Sequence, residues 1–220
     1  MLWIDVAGVT VRSQSGDRNR GIVKGQGMAG SVSHIFNVPA DDFTARDMTI
    51  GWVANHAVQI HGNLGASRTR LDNLRIVDTY EQMVKISCDA SNSLRSQDGI
   101  MENCLLEYTA GIGPQYYIGG IDGHRTRDWT VRNCIFKNII SPSGSVAEHA
   151  VHFWSDAEGT VVEGNLHLRY AVPVAVDQGT VISGLTTDFD GDARPLGSGF
   201  DIGADEFSPK GNAAIYLLLD

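Results

Sequence analysis

The chain is poor in several features, and each shortage removes a class of protein. Of its 220 residues only 17 are Lys or Arg, against 26 Asp or Glu, for a formal net charge of −9. Such a chain lacks the basic stripe that grips a phosphate backbone, which argues against a nucleic-acid partner. No apolar run approaches the length that spans a bilayer, so no membrane span is expected. Its three cysteines, Cys88, Cys104 and Cys134, do not make a disulfide framework, and no CxxC or Cys/His pair of the zinc type accompanies them. The amino terminus shows no basic segment followed by an apolar one, hence no visible signal peptide. Helical periodicity is missing as well: no window of about ten or more residues repeats its apolar positions every 3.6.

What the sequence has instead is a repeat. The stretch from Trp129 to Asp156 contains two apolar-alternating segments, WTVRNCIF and HAVHFWS, separated by a Gly/Pro/Ser turn. Copies of the first are FTARDMTI, TRLDNLRI and GIMENCLL; copies of the second are AVQIHG, MVKIS and GGIDGH. Aligning the first copies sets Asp47, Asn73, Asn103 and Asn133 in register, at a period of about 26 and then about 30 residues, within the range of solenoids. Strands repeating at this period through turns rather than helices stack parallel, each coil covering the apolar face of its neighbour. The expected fold is therefore all-β, a right-handed parallel β-helix forming a single domain over 1–220. Coils are expected over about 1–180 and a turn-rich end segment over about 181–220.

The same alignment makes local predictions. Trp3 to Arg12 reads as one opening strand, with SQSGDRNRG as the loop after it. Cys104 and Cys134 directly follow aligned asparagines and should stack as a buried thiol ladder. Because the first strand starts without a cap, the amino-terminal coil is expected to fray or self-associate, as in a mature chain or fragment that begins inside its first coil. AAIYLLL is expected to lay a strand over the carboxyl end.

Alternation fixes which side chains face out. With Ile60, Ile86, Ile121 and Phe153 inward, Gln59, Lys85, Gly120 and His152 form one outward row. His61, Ser87, Asp122 and Trp154 form a second, with His124, Arg125 and Asp156 at its edge. One face thus gathers a lysine, histidines, an aspartate and a tryptophan, beyond what a solvated surface needs. Tyr116 and Tyr117 add flat area of the kind sugars stack on, or else belong to the core. His34 reads as a coil-corner residue, and His56 and His149 occupy matching positions, which favours a structural role for both.

Downstream, Asp188, Asp190 and Asp192 have the spacing of a calcium loop. Position twelve counted from Asp188 is Gly199, so the closing glutamate of an EF-hand is missing. Either Ca2+ binds there, or Arg194 pairs with Asp201 or Asp205 to staple an end-loop.

With these residues in hand, NHAVQIHG, DTYEQMVKIS, YYIGGIDGHRTRDWTVRNC and AEHAVHFWSDAEGTVVEGN resemble the right-handed parallel β-helix proteins of the pectate-lyase-like superfamily, in a bacterial branch. RPLGSGFDIGADEF resembles the ending of many secreted members, which implies an extracellular or periplasmic parent protein. The resemblance implies carbohydrate chemistry; the Gly-His-Gly and Arg-Ile-Lys motifs of polygalacturonases are absent. An abrupt change of pattern after Asn165 suggests an abbreviated member. Three readings stay open: a polysaccharide lyase on a uronate polymer, a non-catalytic polysaccharide-binding or adhesin scaffold, and a structural β-helix fragment.

For a lyase, β-elimination needs a base at the proton alpha to a carboxylate, and a positive charge to neutralise that carboxylate. Lys85 is the leading base, with His152 as substitute base or acid. Arg125, or a cation held by Asp122 and Asp156, would neutralise the carboxylate. Gln59, His61, Asp122, His124, Tyr117 and Trp154 would contact the sugar chain.

Overall fold

A computed structural model describes residues 1–89, 91, 93–142, 149–168, 184, 186–187 and 193–195. The chain divides into two compact units, Met1–Leu168 and Arg169–Asp220. In the second, Thr187 bridges Ala193 and the Arg194 N–H donates to Thr186 O at 2.9 Å. The calcium-loop residues Asp188, Asp190 and Asp192, the partners proposed for Arg194, and AAIYLLL lie outside the described residues.

The first unit is a parallel β-solenoid in which each winding gives one strand to each of three six-stranded sheets. In chain order the windings are β1 (Leu2–Trp3), β2 (Thr10–Arg12), β3 (Ile22–Lys24); β4 (Phe36–Val38), β5 (Thr44–Arg46), β6 (Thr49–Val53); β7 (Val58–His61), β8 (Arg70–Asp72), β9 (Arg75–Thr79). They continue as β10 (Val84–Ser87), β11 (Ile100–Glu102), β12 (Leu105–Glu107); β13 (Gly119–His124), β14 (Thr130–Arg132), β15 (Ile135–Lys137); β16 (His149–Trp154), β17 (Val161–Glu163), β18 (Leu166–Leu168). Sheet A takes β1, β4, β7, β10, β13 and β16; sheet B starts from β2 and sheet C from β3.

Each eight-residue first copy proves to be two short strands on different sheets, joined by a corner at the aligned residue. Asp47, Asn73, Asn103 and Asn133 all take left-handed backbone, with φ of 58°, 51°, 56° and 53°, and Gly164 continues the series at 62°. Asn, Asp and Gly tolerate this region where other residues strain, which is why they recur there. The corner is locked between coils: Asn73 Nδ2 donates to Asp47 Oδ1 at 2.9 Å and Asn103 Nδ2 to Asp72 Oδ1 at 3.0 Å. Trp3 to Arg12 is likewise not one strand but β1 and β2 on separate sheets, divided by a turn with Gly8 at φ 76°.

Inward positions stack like on like along the axis. Val58, Val84 and Ile121 are aligned in sheet A, Ala45, Leu71, Met101 and Val131 in sheet B, and Ile50, Ile76, Leu106 and Phe136 in sheet C, all buried. Close packing sets where glycine is required. A Cβ on Gly99 would fall 2.2 Å from the ring of the fully buried Trp129 on the next coil. Cys104 and Cys134 are buried free thiols on successive coils, Cys104 Sγ lying 3.1 Å from Glu102 O and 3.6 Å from Leu71 O, and Cys134 Sγ 3.3 Å from Arg132 O and 3.7 Å from Met101 O. The thiol ladder read from the sequence is what the solenoid contains.

Candidate functional site

The pairing of sheet A determines which outward residues meet. Asn37 lies opposite Gln59, Gln59 opposite Lys85, Lys85 opposite Asp122 and Asp122 opposite His152. Gly120 and Asp122 therefore do not sit where the sequence puts them. Ile86 stands opposite Gly123 rather than Ile121, so Asp122 moves into the row of Lys85 and His124 takes its place in the row of Trp154. Gly120 is buried, and a Cβ there would strike the Phe136 ring at 2.5 Å. The inward register of Ile86 and the outward register of Lys85 and His152 hold.

This shift builds a cluster around one carboxylate. Asp122 is buried, at 3% exposure. Its Oδ1 accepts from Lys85 Nζ at 3.1 Å and from the Trp154 indole N–H at 3.0 Å, while its Oδ2 faces His152 Nδ1 at 3.6 Å. The last distance is electrostatic contact rather than a hydrogen bond. Lys85, the leading base read from the sequence, is thus ion-paired with this aspartate. The His152 ring stacks on Trp154 at 5.4 Å and touches His149 at 3.9 Å. Trp154 also packs against His124 at 4.7 Å.

Beside the cluster lies a hollow of about 520 Å3. Its cause is a size step in the second row: His61 is paired with Ser87, the same register brings Ser87 beside His124, and His124 pairs with Trp154. One serine between rings leaves a gap. His124 and Trp154 wall one end and His61 and His34 the other, with Gln59 and Lys85 along one side. Asn63, Cys88 and Asp89 close the far side from the turns that follow β7 and β10. None of these three was read from the sequence as a site residue, since turn residues follow no strand alternation.

Hydrogen bonds hold this lining in place. His61 Nε2 bonds Asn37 Oδ1, and the ring also engages the Asn63 side chain. Burial holds the His61 and His34 imidazoles below the usual range, so both favour the neutral form. Gln59 Nε2 donates to Ser87 Oγ at 2.9 Å. Asp89 Oδ1 accepts from the Ser91 N–H and hydroxyl, both at 2.8 Å, which keep its carboxyl below the ordinary carboxylate value.

The histidines at the start of the sheet play another part. His34, His56, Gln82, Gly119 and His149 fall in one row by the register of sheet A. His34 stacks on His56 at 5.5 Å; His34 Nδ1 lies 3.1 Å from His56 O and His56 Nδ1 2.8 Å from Gln82 O. The match of His56 with His149 is correct, and His34 belongs to the same ladder.

The remaining candidates are placed as follows. Arg125, with left-handed backbone at φ 53°, leaves the end of β13 and donates to Asp89 O at 3.4 Å. Tyr116 is largely exposed and meets Tyr117 edge-on at 6.5 Å, in the loop before β13; neither lines the hollow. Asp156 sits in the exposed turn after β16. Among the described residues no three His, Cys, Asp or Glu side chains group as a metal cage, and Asp122 directs its oxygens at Lys85, Trp154 and His152.

No family model, curated protein or solved structure matches the chain.

Proposed function

We propose that the protein acts on an acidic, uronate-containing polysaccharide laid along the outward face of sheet A, and cleaves it by β-elimination. The observation that carries this reading is the buried Asp122 carboxylate with Lys85 at 3.1 Å on one side and His152 at 3.6 Å on the other. A carboxylate beside Nδ1 favours the tautomer with its proton there, so Nε2 is the basic nitrogen offered to substrate. We assign the base role to His152 rather than Lys85, because a paired ammonium has no lone pair to give. His152 removes the proton alpha to the uronate carboxylate. The released electrons form the new carbon–carbon double bond, and the bond to the glycosidic oxygen breaks. The Lys85 ammonium donates the proton that oxygen needs.

Arg125, at the edge of the cluster, neutralises the uronate carboxylate. It has to, since the chain's net charge of −9 repels a polyuronate. Trp154, His124 and Gln59 contact the sugar. The resemblance to the pectate-lyase-like superfamily supports the same substrate class and an extracellular or periplasmic setting; it is fold-level analogy, and the residues carry the chemistry.

A second reading is a non-catalytic polysaccharide-binding scaffold. It is favoured by the mutual engagement of Lys85, Asp122 and Trp154, which satisfies these three groups without a substrate. The two are separated by incubating purified protein with pectate, alginate and glycosaminoglycans, with and without calcium, and following ultraviolet absorbance of the unsaturated uronate product. A rise abolished in His152→Ala supports the lyase. Binding without any absorbance change overturns it in favour of the scaffold.

A further inference from the structure

Trp154 is engaged on three sides. Its indole N–H donates to Asp122 Oδ1 at 3.0 Å, and its ring lies nearly parallel to that of His152, at 5° and 5.4 Å between centroids. His124 packs against it at 4.7 Å. One side chain thus touches both members of the Asp122–His152 pair, although it is 44% exposed.

The two donors on Asp122 Oδ1 are not equivalent. An ammonium is a compact charge with rotatable protons, attracted to either oxygen of a carboxylate. Lys85 at 3.1 Å therefore anchors Asp122 without fixing which way the carboxylate plane turns. The terminal torsion of an aspartate is broad and nearly two-fold, so it fixes nothing either. The indole N–H lies in the plane of a rigid ring and donates along one direction, and that ring is held by two imidazoles. It singles out Oδ1, which leaves Oδ2 turned to His152 Nδ1 at 3.6 Å. A carboxylate oxygen on that side favours the tautomer with its proton on Nδ1.

We infer that Trp154 is a positioning residue: its N–H sets the plane of the Asp122 carboxylate, and the carboxylate sets the tautomer of His152. The inference rests on the assignment of His152 as the base, since Nε2 offers its lone pair to substrate only in that tautomer. A role confined to stacking on a sugar would leave the tautomer of the free protein untouched, and that difference is measurable.

The test is nitrogen-15 NMR of the imidazoles in the ligand-free chain at about pH 8, above the ordinary histidine range, with the His152 signals identified by their loss in His152→Ala. The native chain is expected to show His152 protonated at Nδ1. Trp154→Phe keeps a ring for the stack and for the sugar but removes the N–H, and it should move His152 toward the form protonated at Nε2. Trp154→Leu, which also lacks the N–H, serves for this measurement if the phenylalanine variant does not fold. On the polysaccharide that yields the unsaturated product, Trp154→Phe should lower kcat about ten- to hundred-fold, the worth of one hydrogen bond to a charged group, with KM nearly unchanged. A native His152 protonated at Nε2 overturns the inference and the base assignment together. A native Nδ1 tautomer that survives removal of the N–H, or a raised KM with kcat unchanged, overturns the inference and leaves the lyase reading standing. If no polyuronate yields the product, the lyase reading falls, and the tautomer measurement, made without substrate, still decides whether Trp154 sets the carboxylate.

Discussion

Lys85 Nζ and Asp122 Oδ1 lie 3.1 Å apart on adjacent coils, with side chains only 13% and 5% exposed. Removing one member of a pair this deep strands the other without its counter-charge. Asp122→Ala and Lys85→Met should therefore each destabilise the fold by roughly 3 kcal/mol, and the double substitution by clearly less than their sum. Urea unfolding of the three variants measures this. Additive losses would show that the two groups do not interact in solution.

The left-handed corners make a second expectation. Asn103 has φ 56° and donates to Asp72. Glycine there keeps the backbone relaxed and loses only the hydrogen bond, about 1 kcal/mol. Alanine loses the bond and adds left-handed strain, about 1–2 kcal/mol more. Thermal unfolding should rank Asn103→Gly above Asn103→Ala, an order opposite to that of a site in ordinary strand backbone.

Those corners are also why the architecture was legible. A left-handed position admits few residue types, so the same ones return every coil, and Asp47, Asn73, Asn103 and Asn133 mark the period without any structure. The same feature hid the third sheet: alternation runs on through the corner, so FTARDMTI looks like one strand when it is β5 and β6. In sheet A the slip came from Gly123. It faces inward because the Phe153 ring fills its space, a Cβ there coming within 2.5 Å of it. An inward glycine carries no apolar signal, so matching Ile86 to the nearest isoleucine displaced Asp122 by one row. The outward set was thus recognisable as a group, while its pairings depended on a residue without a side chain.

Phe153 gives a direct check of that register. It packs against the core and approaches Trp129 at 6.5 Å, while the neighbouring His152 faces outward. Phe153→Ala should cost about 3 kcal/mol, near the low end for a core aromatic because Phe153 is only partly buried. His152→Ala should cost less than about 1 kcal/mol while affecting turnover. Equal shifts in melting temperature would mean that β16 is offset by one residue, which reverses every side chain in it.

The histidine ladder makes stability depend on acid. His56 is buried between His34 and Gln82, its Nε2 3.3 Å from Glu81, and burial lowers its pKa from 6.5 to about 4. His34 and Lys85 oppose its protonation by charge and Asp122 favours it. Because the folded imidazole releases its proton more readily than the unfolded one, the unfolded chain binds more protons between these values. Stability from this group is then complete above pH 6.5, declines as pH falls from 6.5 to about 4 by up to about 3 kcal/mol, and levels off below. Glu81 acts in the opposite sense, since burial raises its pKa and its protonated form is favoured by folding. Its side chain is 29% exposed against 8% for His56, so solvent screens it more and the histidine sets the slope. Gln82 already occupies the equivalent position on the next coil, so His56→Gln preserves the shape of the ladder. Chemical denaturation of the native chain at pH 7 and pH 5 should show a loss that is markedly smaller in His56→Gln. An identical pH dependence in the two would mean that His56 is not the group whose titration weakens the fold.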